Sequence, residues 1–211
     1  MGIQERKERE KEKRRQQILA AAKKVFSEKG YSKATMEDIA NKAELSPGTL
    51  YLYFKNKEEL YASLSLRVLK YFLAGMEKIS RRKDLEPEKK LDGFINAMFD
   101  LYKLDSLVIV NVFRLQSSEA LQNLSHEVLE GIKNYSRDLI ASFASAYKEG
   151  VDKGIFLDKS PVAIADIFWA LFSGVILWEE SKRIIDSEKN FILPTLETAF
   201  KIFKRGIKQN L

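Results

Sequence analysis

The stretch Ser46-Pro47-Gly48-Thr49-Leu50-Tyr51-Leu52-Tyr53-Phe54 carries the side chains of this sequence best suited to meeting a polar partner. Positions four apart share one face of a helix, so Leu50 and Phe54 can pack inward while Thr49 and Tyr53 point elsewhere together. Ser46 reads as an N-cap and Pro47 as a first helical residue, where the missing N–H of proline costs nothing. Gly48 has no side chain and lets this end of the helix approach another molecule closely, and free amides at a helix start suit a phosphate. Such an outer face fits duplex DNA. Ser46, Pro47, Gly48 and Thr49 would address base edges, while the hydroxyls of Tyr51 and Tyr53 and the ammonium of Lys57 would hold phosphate oxygens. Each position also has a plainer reading: Ser46 as a cap alone, Tyr51 as a core aromatic, Lys57 as a solvated charge.

Other elements must position this helix. Thr35 precedes Met36, Ile39, Ala40 and Ala43 and predicts an N-cap, with Asp38 three residues on completing a capping box. The pattern predicts a helix over 36–43, a turn at Glu44 and Leu45, and a second helix from 47 to about 54. Two short helices joined by a tight turn make a helix-turn-helix candidate. Upstream, Ile18, Ala22, Val25 and Phe26 recur at helical spacing and Gly30 reads as a C-cap, giving a helix over about 12–29. Downstream, Asn56 offers another N-cap and opens a long helix toward Ser80. Residues 1–15 alternate Glu with Lys or Arg and read as a mobile arm or a solvated helical extension.

The segment Thr35 to Leu60, TMEDIANKAELSPGTLYLYFKNKEEL, together with the upstream VFSEKGY, resembles the TetR family of transcription regulators in order and spacing. The resemblance covers about residues 14–62. It implies an all-α fold: a three-helix helix-turn-helix DNA-binding domain in residues 1–62 and a helical effector-binding and dimerisation domain in residues 63–211. It further implies a homodimer, usually a repressor, whose heads bind successive major grooves of a near-palindromic operator, with half-sites about 34–36 Å apart or a multiple of that. Family DNA contacts fall here on Pro47, Gly48, Thr49, Tyr51, Tyr53 and Lys57, with backbone contacts near Thr35. Glu37 departs from the pattern, being acidic where some relatives are neutral or basic.

The bulk composition agrees with this picture. Four prolines and ten glycines in 211 residues leave few breaks, and no segment sustains the apolar/polar alternation of strands. The formal charge is +6, and residues 1–60 hold 14 Lys or Arg against 10 Asp or Glu, so the basic surplus is concentrated at the N-terminal end. That surplus is too small for a purely electrostatic, non-specific architectural DNA binder, the main rival reading beside an adaptor that keeps the motif as a packing unit. With one histidine, His126, no cysteine, no glycine-rich phosphate loop and no metal-ligand spacing, an enzyme, a metal site or a bound cofactor is not expected. The first residues carry mixed charge and no apolar stretch, which predicts a cytoplasmic rather than a secreted chain. The apolar run Val162–Trp178 reads as shorter than the roughly 20 residues of a membrane span and contains Asp166.

Beyond the charged stretch Ser80–Pro87, read as the join between the two units, helices are expected near 88–104, 106–116, 119–153, 161–183 and 190–207. Aromatic residues crowd this half and read first as core. The family resemblance implies an effector pocket among them, for which Asn111, Phe113, Arg114, Phe143, Tyr147 and Trp169 are the candidates. Arg114, set between Phe113 and Leu115, would anchor the anionic end of a small hydrophobic effector, or else be an exposed or salt-bridged arginine. For the homodimer interface, the stripe Ile164, Phe168, Leu171, Val175 and Trp178 is expected to meet Leu196, Phe200 and Phe203 in a four-helix arrangement.

Overall fold

The structure, a computed structural model, describes residues 2–209 except 105, 107, 108, 110–112, 114–120, 123 and 187–190. Among the described residues the secondary structure is helical, apart from one isolated antiparallel bridge between Phe156 and Lys208. Helix α1 spans Ile3–Lys33, α2 Met36–Lys42, α3 Pro47–Tyr51, α4 Lys57–Ser80 and α5 Pro87–Leu104. After these come α6 His126–Asp152, α7 Pro161–Ile185 and α8 Ile192–Gly206.

The charged N-terminal stretch is part of α1, exposed from Ile3 to Arg14 and laced by pairs such as Arg6 with Glu10 at 3.2 Å. The α-helix proper ends at Gly30, whose φ of 73° lies in the left-handed region that glycine enters at little cost. This turn folds Tyr31 back between Phe26 and Tyr61, with ring centroids 5.7 and 4.9 Å away. Helix α6 begins at His126 behind Ser125, later than the expected 119, because Leu121 and Gln122 form a tight turn instead.

Two cores share one shaft. The smaller is built from Ile18, Ala22, Val25, Phe26, Ile39, Ala40, Leu50 and Phe54 and takes Leu60, Tyr61 and Leu64 from the start of α4. The larger begins further along the same helix with Leu69, Phe72, Leu73 and Met76 and continues through α5 to α8. At 24 residues, α4 is about 36 Å long, so a tilt at one core is carried to the other by a single rigid rod.

The segment Pro161–Lys182 of α7 is long and apolar enough by composition to cross a membrane, which corrects the shorter length read from the apolar run. Its use in the fold is different: Ala165, Phe168, Phe172 and Ile176 enter the larger core.

Candidate nucleic-acid interface

The head is assembled from caps. Thr35 Oγ1 accepts from the amide of Asp38 at 3.1 Å, while Asp38 Oδ2 accepts from the amide of Thr35 at 3.1 Å. Lys29 donates to the other carboxylate oxygen at 2.6 Å; this bond and the hydroxyl of Thr35 hold the Asp38 carboxyl below the usual carboxylate range. Helix α2 ends in a reversal where Leu45 N bonds Ala40 O at 2.9 Å and Glu44 adopts a φ of 57°, unusual for a residue with a side chain. Gln17 of α1 steadies this turn by donating to Ala43 O at 2.8 Å.

Ser46 caps α3 as expected, accepting from Thr49 N at 3.2 Å, and its hydroxyl lies 2.8 Å from that of Thr49. Helix α3 closes at Tyr51 and not at Phe54, because Leu52 N and Tyr53 N reach back only three residues, to Thr49 O and Leu50 O. The inner face is as predicted: Leu50 and Phe54 are completely buried, and the Arg15 guanidinium sits 4.5 Å above the Phe54 ring. On the outer side Pro47 and Gly48 are exposed, Thr49 is half-buried and Tyr51 is 53% exposed, so Tyr51 is not a core residue. Tyr53 is half-buried against the smaller core.

Lys57 is placed differently. Its ammonium donates to Tyr31 O at 2.9 Å and Ala34 O at 3.0 Å and lies 4.5 Å from the centroid of the Tyr31 ring. These bonds tie the end of α1 to the start of α4. Tyr31 in turn donates to Glu58 at 3.0 Å, and burial together with this carboxylate raises its phenol well above the ordinary value. Sequence reading overlooked Tyr31; its only signal was an aromatic one residue after a glycine cap.

In the larger domain, Phe143 stacks on Phe168 at 4.3 Å and Tyr147 on Phe156 at 5.3 Å, while the Tyr147 hydroxyl donates to Leu157 O at 2.7 Å. Phe113 meets Trp169 and Phe172 edge-on at 5.6 and 5.9 Å. The space enclosed beside Phe94, Phe143 and Tyr147 amounts to about 10 Å³, so these aromatics form a filled core. Asn111 and Arg114 lie outside the described residues.

The stripe assigned to dimerisation divides. Phe168, Leu196, Phe200 and Phe203 are buried in their own subunit, and Ile164, Leu171 and Val175 are half-buried against that core. Trp178 is 65% exposed and shares the opposite side of α7 with Ala163, Ile167, Gly174 and Ile185. Phe191, just before α8, and Ile202 on α8 are exposed as well. Both sides of α7 are apolar at helical spacing, so spacing alone does not separate them.

A short helix presented by a capped three-helix head, on a shaft that enters a larger helical body, defines a helix-turn-helix regulator. Residues 18–64 match the family model for bacterial regulatory proteins, tetR family. The fatty acid metabolism regulator protein of Bacillus subtilis is 29% identical over 195 residues, covering 90% of this chain and 94% of that protein. The transcriptional repressor DhaR of a Mycobacterium species is 26% identical over 188 residues, with 87% of this chain and 90% of that protein covered. Among solved structures, the regulator FadR from Bacillus subtilis in complex with stearoyl-CoA superposes with a TM-score of 0.69 at 22% identity, over 91% of this chain and 98% of that one. Residues 18–64 thus carry the DNA-binding module of the tetR family, and the chain is similar over most of its length to transcription regulators.

Proposed function

We propose that this regulator is a homodimeric repressor that binds a near-palindromic operator through α3 and is released by a small hydrophobic effector with an anionic end. The observation that carries this reading is the division of α3 into a locked side and an open one: Leu50 is fully buried while Pro47, Gly48 and Tyr51 are exposed. A rigid back and a free front are what a reading helix requires. Ser46, Pro47, Gly48 and Thr49 face base edges, Tyr51 and Tyr53 contact phosphates, and the backbone at Thr35 adds a positioning contact. Lys57 acts at one remove, fixing the angle between α1 and α4.

Dimerisation uses the outer stripe of Ile167, Gly174 and Trp178 with Phe191 and Ile202, because large apolar side chains aligned on two adjacent helices seek cover. The effector reading is supported by one relative, a fatty acid metabolism regulator, and by one fold neighbour, a complex with stearoyl-CoA. Its apolar part enters among Phe113, Phe143, Tyr147 and Trp169, which must part to admit it, and Asn111 and Arg114 serve as polar anchors. Because α4 belongs to both cores, an effector that favours a different tilt of this rod weakens operator binding by its differential affinity for the two states. The protein works in the cytoplasm, with its DNA.

Selection from a random duplex library at near-physiological salt, followed by sequencing of the bound pool, tests the reading. An enriched inverted repeat is expected. Retention that falls steeply with salt and enriches no motif would instead identify a non-specific architectural binder, and loss of the repeat preference on adding a long-chain acyl ligand would establish release.

A further inference from the structure

Neither the head nor the aromatic core accounts for the cleft between α5 and α8, which has a volume of about 790 Å³. Its floor is apolar, formed by Ile95 and Phe99 of α5 and Phe200 of α8, with Phe99 and Phe200 edge-on at 6.1 Å. Its rim is basic: Lys201, Lys204 and Arg205 lie on α8, Lys208 follows just beyond its end, and Lys89 faces them from α5. The three α8 cations spread over about 6 Å of helix, and Lys208 extends the rim beyond it. Three carboxylates answer them in part. Asp92 pairs with Lys204 and lies 4.0 Å from Lys89, Lys208 pairs with Glu88 at 2.6 Å, and Glu197 stands one turn before Lys201. Lys201 and Arg205, both exposed and one turn apart, have no ion-pair partner among the described residues. Like charges at this spacing repel, and a ligand carrying several negative charges relieves the repulsion.

We infer that the α5–α8 cleft binds an amphiphilic polyanion, with an apolar chain on the Phe99–Phe200 floor and a phosphate-rich head on Lys201 and Arg205. A single carboxylate would not use a rim this long, and the guanidinium of Arg205 suits a phosphate through two parallel bonds. The inference rests on the proposed hydrophobic effector with an anionic end and gives it a site outside the aromatic core, with the chain on Phe99 and Phe200 in place of Phe113, Phe143, Tyr147 and Trp169 and the charged end on α8 in place of Arg114. The cleft also has a route to the DNA head. Lys90 of α5, buried, donates to Ser80 O at the end of α4 at 3.1 Å, and a side chain at Gly93 would come within 3.2 Å of Ile79 of α4. Displacing α5 therefore displaces the shaft.

The test is calorimetric titration of the full-length, DNA-free protein with palmitoyl-CoA below its micelle-forming concentration, alongside coenzyme A and palmitate separately. Palmitoyl-CoA is expected to bind more tightly than either half. The double variant Lys201→Ala/Arg205→Ala, altered only at exposed positions, should bind on the order of 10- to 100-fold more weakly at unchanged melting temperature. Lys23→Ala/Lys24→Ala, in a second basic groove between α1 and α4, should bind as the unaltered protein does. Absence of palmitoyl-CoA binding, unchanged binding by the Lys201/Arg205 variant, or loss in the Lys23/Lys24 variant instead would each overturn the inference. An inverted repeat still selected from the DNA library in those cases would leave the regulator reading standing.

Discussion

In the head, polar side chains hold the backbone of their own neighbourhood: Thr35 with Asp38, Ser46 with Thr49, Asn56 with Glu59 at 2.7 Å. In the larger domain the holding is done by rings. Phe168 alone touches Phe143, Phe200 and Phe203, with centroids 4.3, 5.1 and 5.6 Å away, and these rings come from three different helices. Local polar bonds fix directions sharply, as a surface that must match DNA requires. Apolar packing fixes directions less sharply and can rearrange, as a domain that must answer a ligand requires. The larger domain also leaves an apolar stripe uncovered on α7, which the head nowhere does to a comparable extent.

Substitutions can break this contrast. The largest effect belongs to the rings: Phe168→Ala should cost about 3–5 kcal/mol of stability in denaturant unfolding, since it empties the centre of the packed cluster. Ile167→Asp with Trp178→Asp, on the other side of the same helix, should leave the subunit folded but monomeric in sedimentation. Operator affinity should then drop on the order of 10²- to 10⁴-fold through loss of the second head. If instead that pair unfolds the subunit and remains dimeric, the division of α7 into a core side and a partner side is wrong.

Lys57→Met comes next. It removes two bonds from a half-buried ammonium to the carbonyls of Tyr31 and Ala34, and should destabilise the head by about 1.5–3 kcal/mol. The dependence of operator affinity on salt should keep its slope. A slope lowered by about one would show that Lys57 meets a phosphate directly. Ser46→Ala should cost about 1 kcal/mol as a lost cap, seen as a lower melting temperature.

The smallest effect is a pH dependence confined to the head. Asp38 titrates below its ordinary value because Lys29 and Thr35 favour its charged form. Its contribution is therefore complete above the ordinary aspartate range and is lost as pH falls through the lowered folded value. Melting curves taken from neutral to acid pH should show the head weakening at the acid end, and Asp38→Asn should flatten that part of the profile.

Much of the head was legible because its signals are local. Thr35, Ser46, Asn56 and Gly30 act within three or four residues of themselves, and all four cap as their types and spacing predict. The end of α3 was not legible, since a turn closing through bonds three residues back has no composition of its own. Nor was the role of Lys57, whose partners Tyr31 and Ala34 lie more than twenty residues upstream and act through backbone oxygens that any residue carries. In the larger domain the helices at 87–104, 161–185 and 192–206 lie close to where spacing put them, but which side of α7 packs inward was not legible. Periodicity on α7 is apolar on two sides, so Phe168 and Trp178 look alike in sequence and differ only in what packs on them.

The sequence by itself determined that the chain is helical, where α2, α3 and α4 begin, and which face of α3 is turned inward, because caps, glycine breaks and helical spacing act over one or two turns. Only the tertiary structure decided that α4 serves two cores, that Lys57 is bound inward, which side of α7 is left exposed, and that three cations of α8, Lys208 beyond it and Lys89 of α5 border a single cleft. Those facts depend on which helices pack together, and packing is settled by shape and volume over the whole chain.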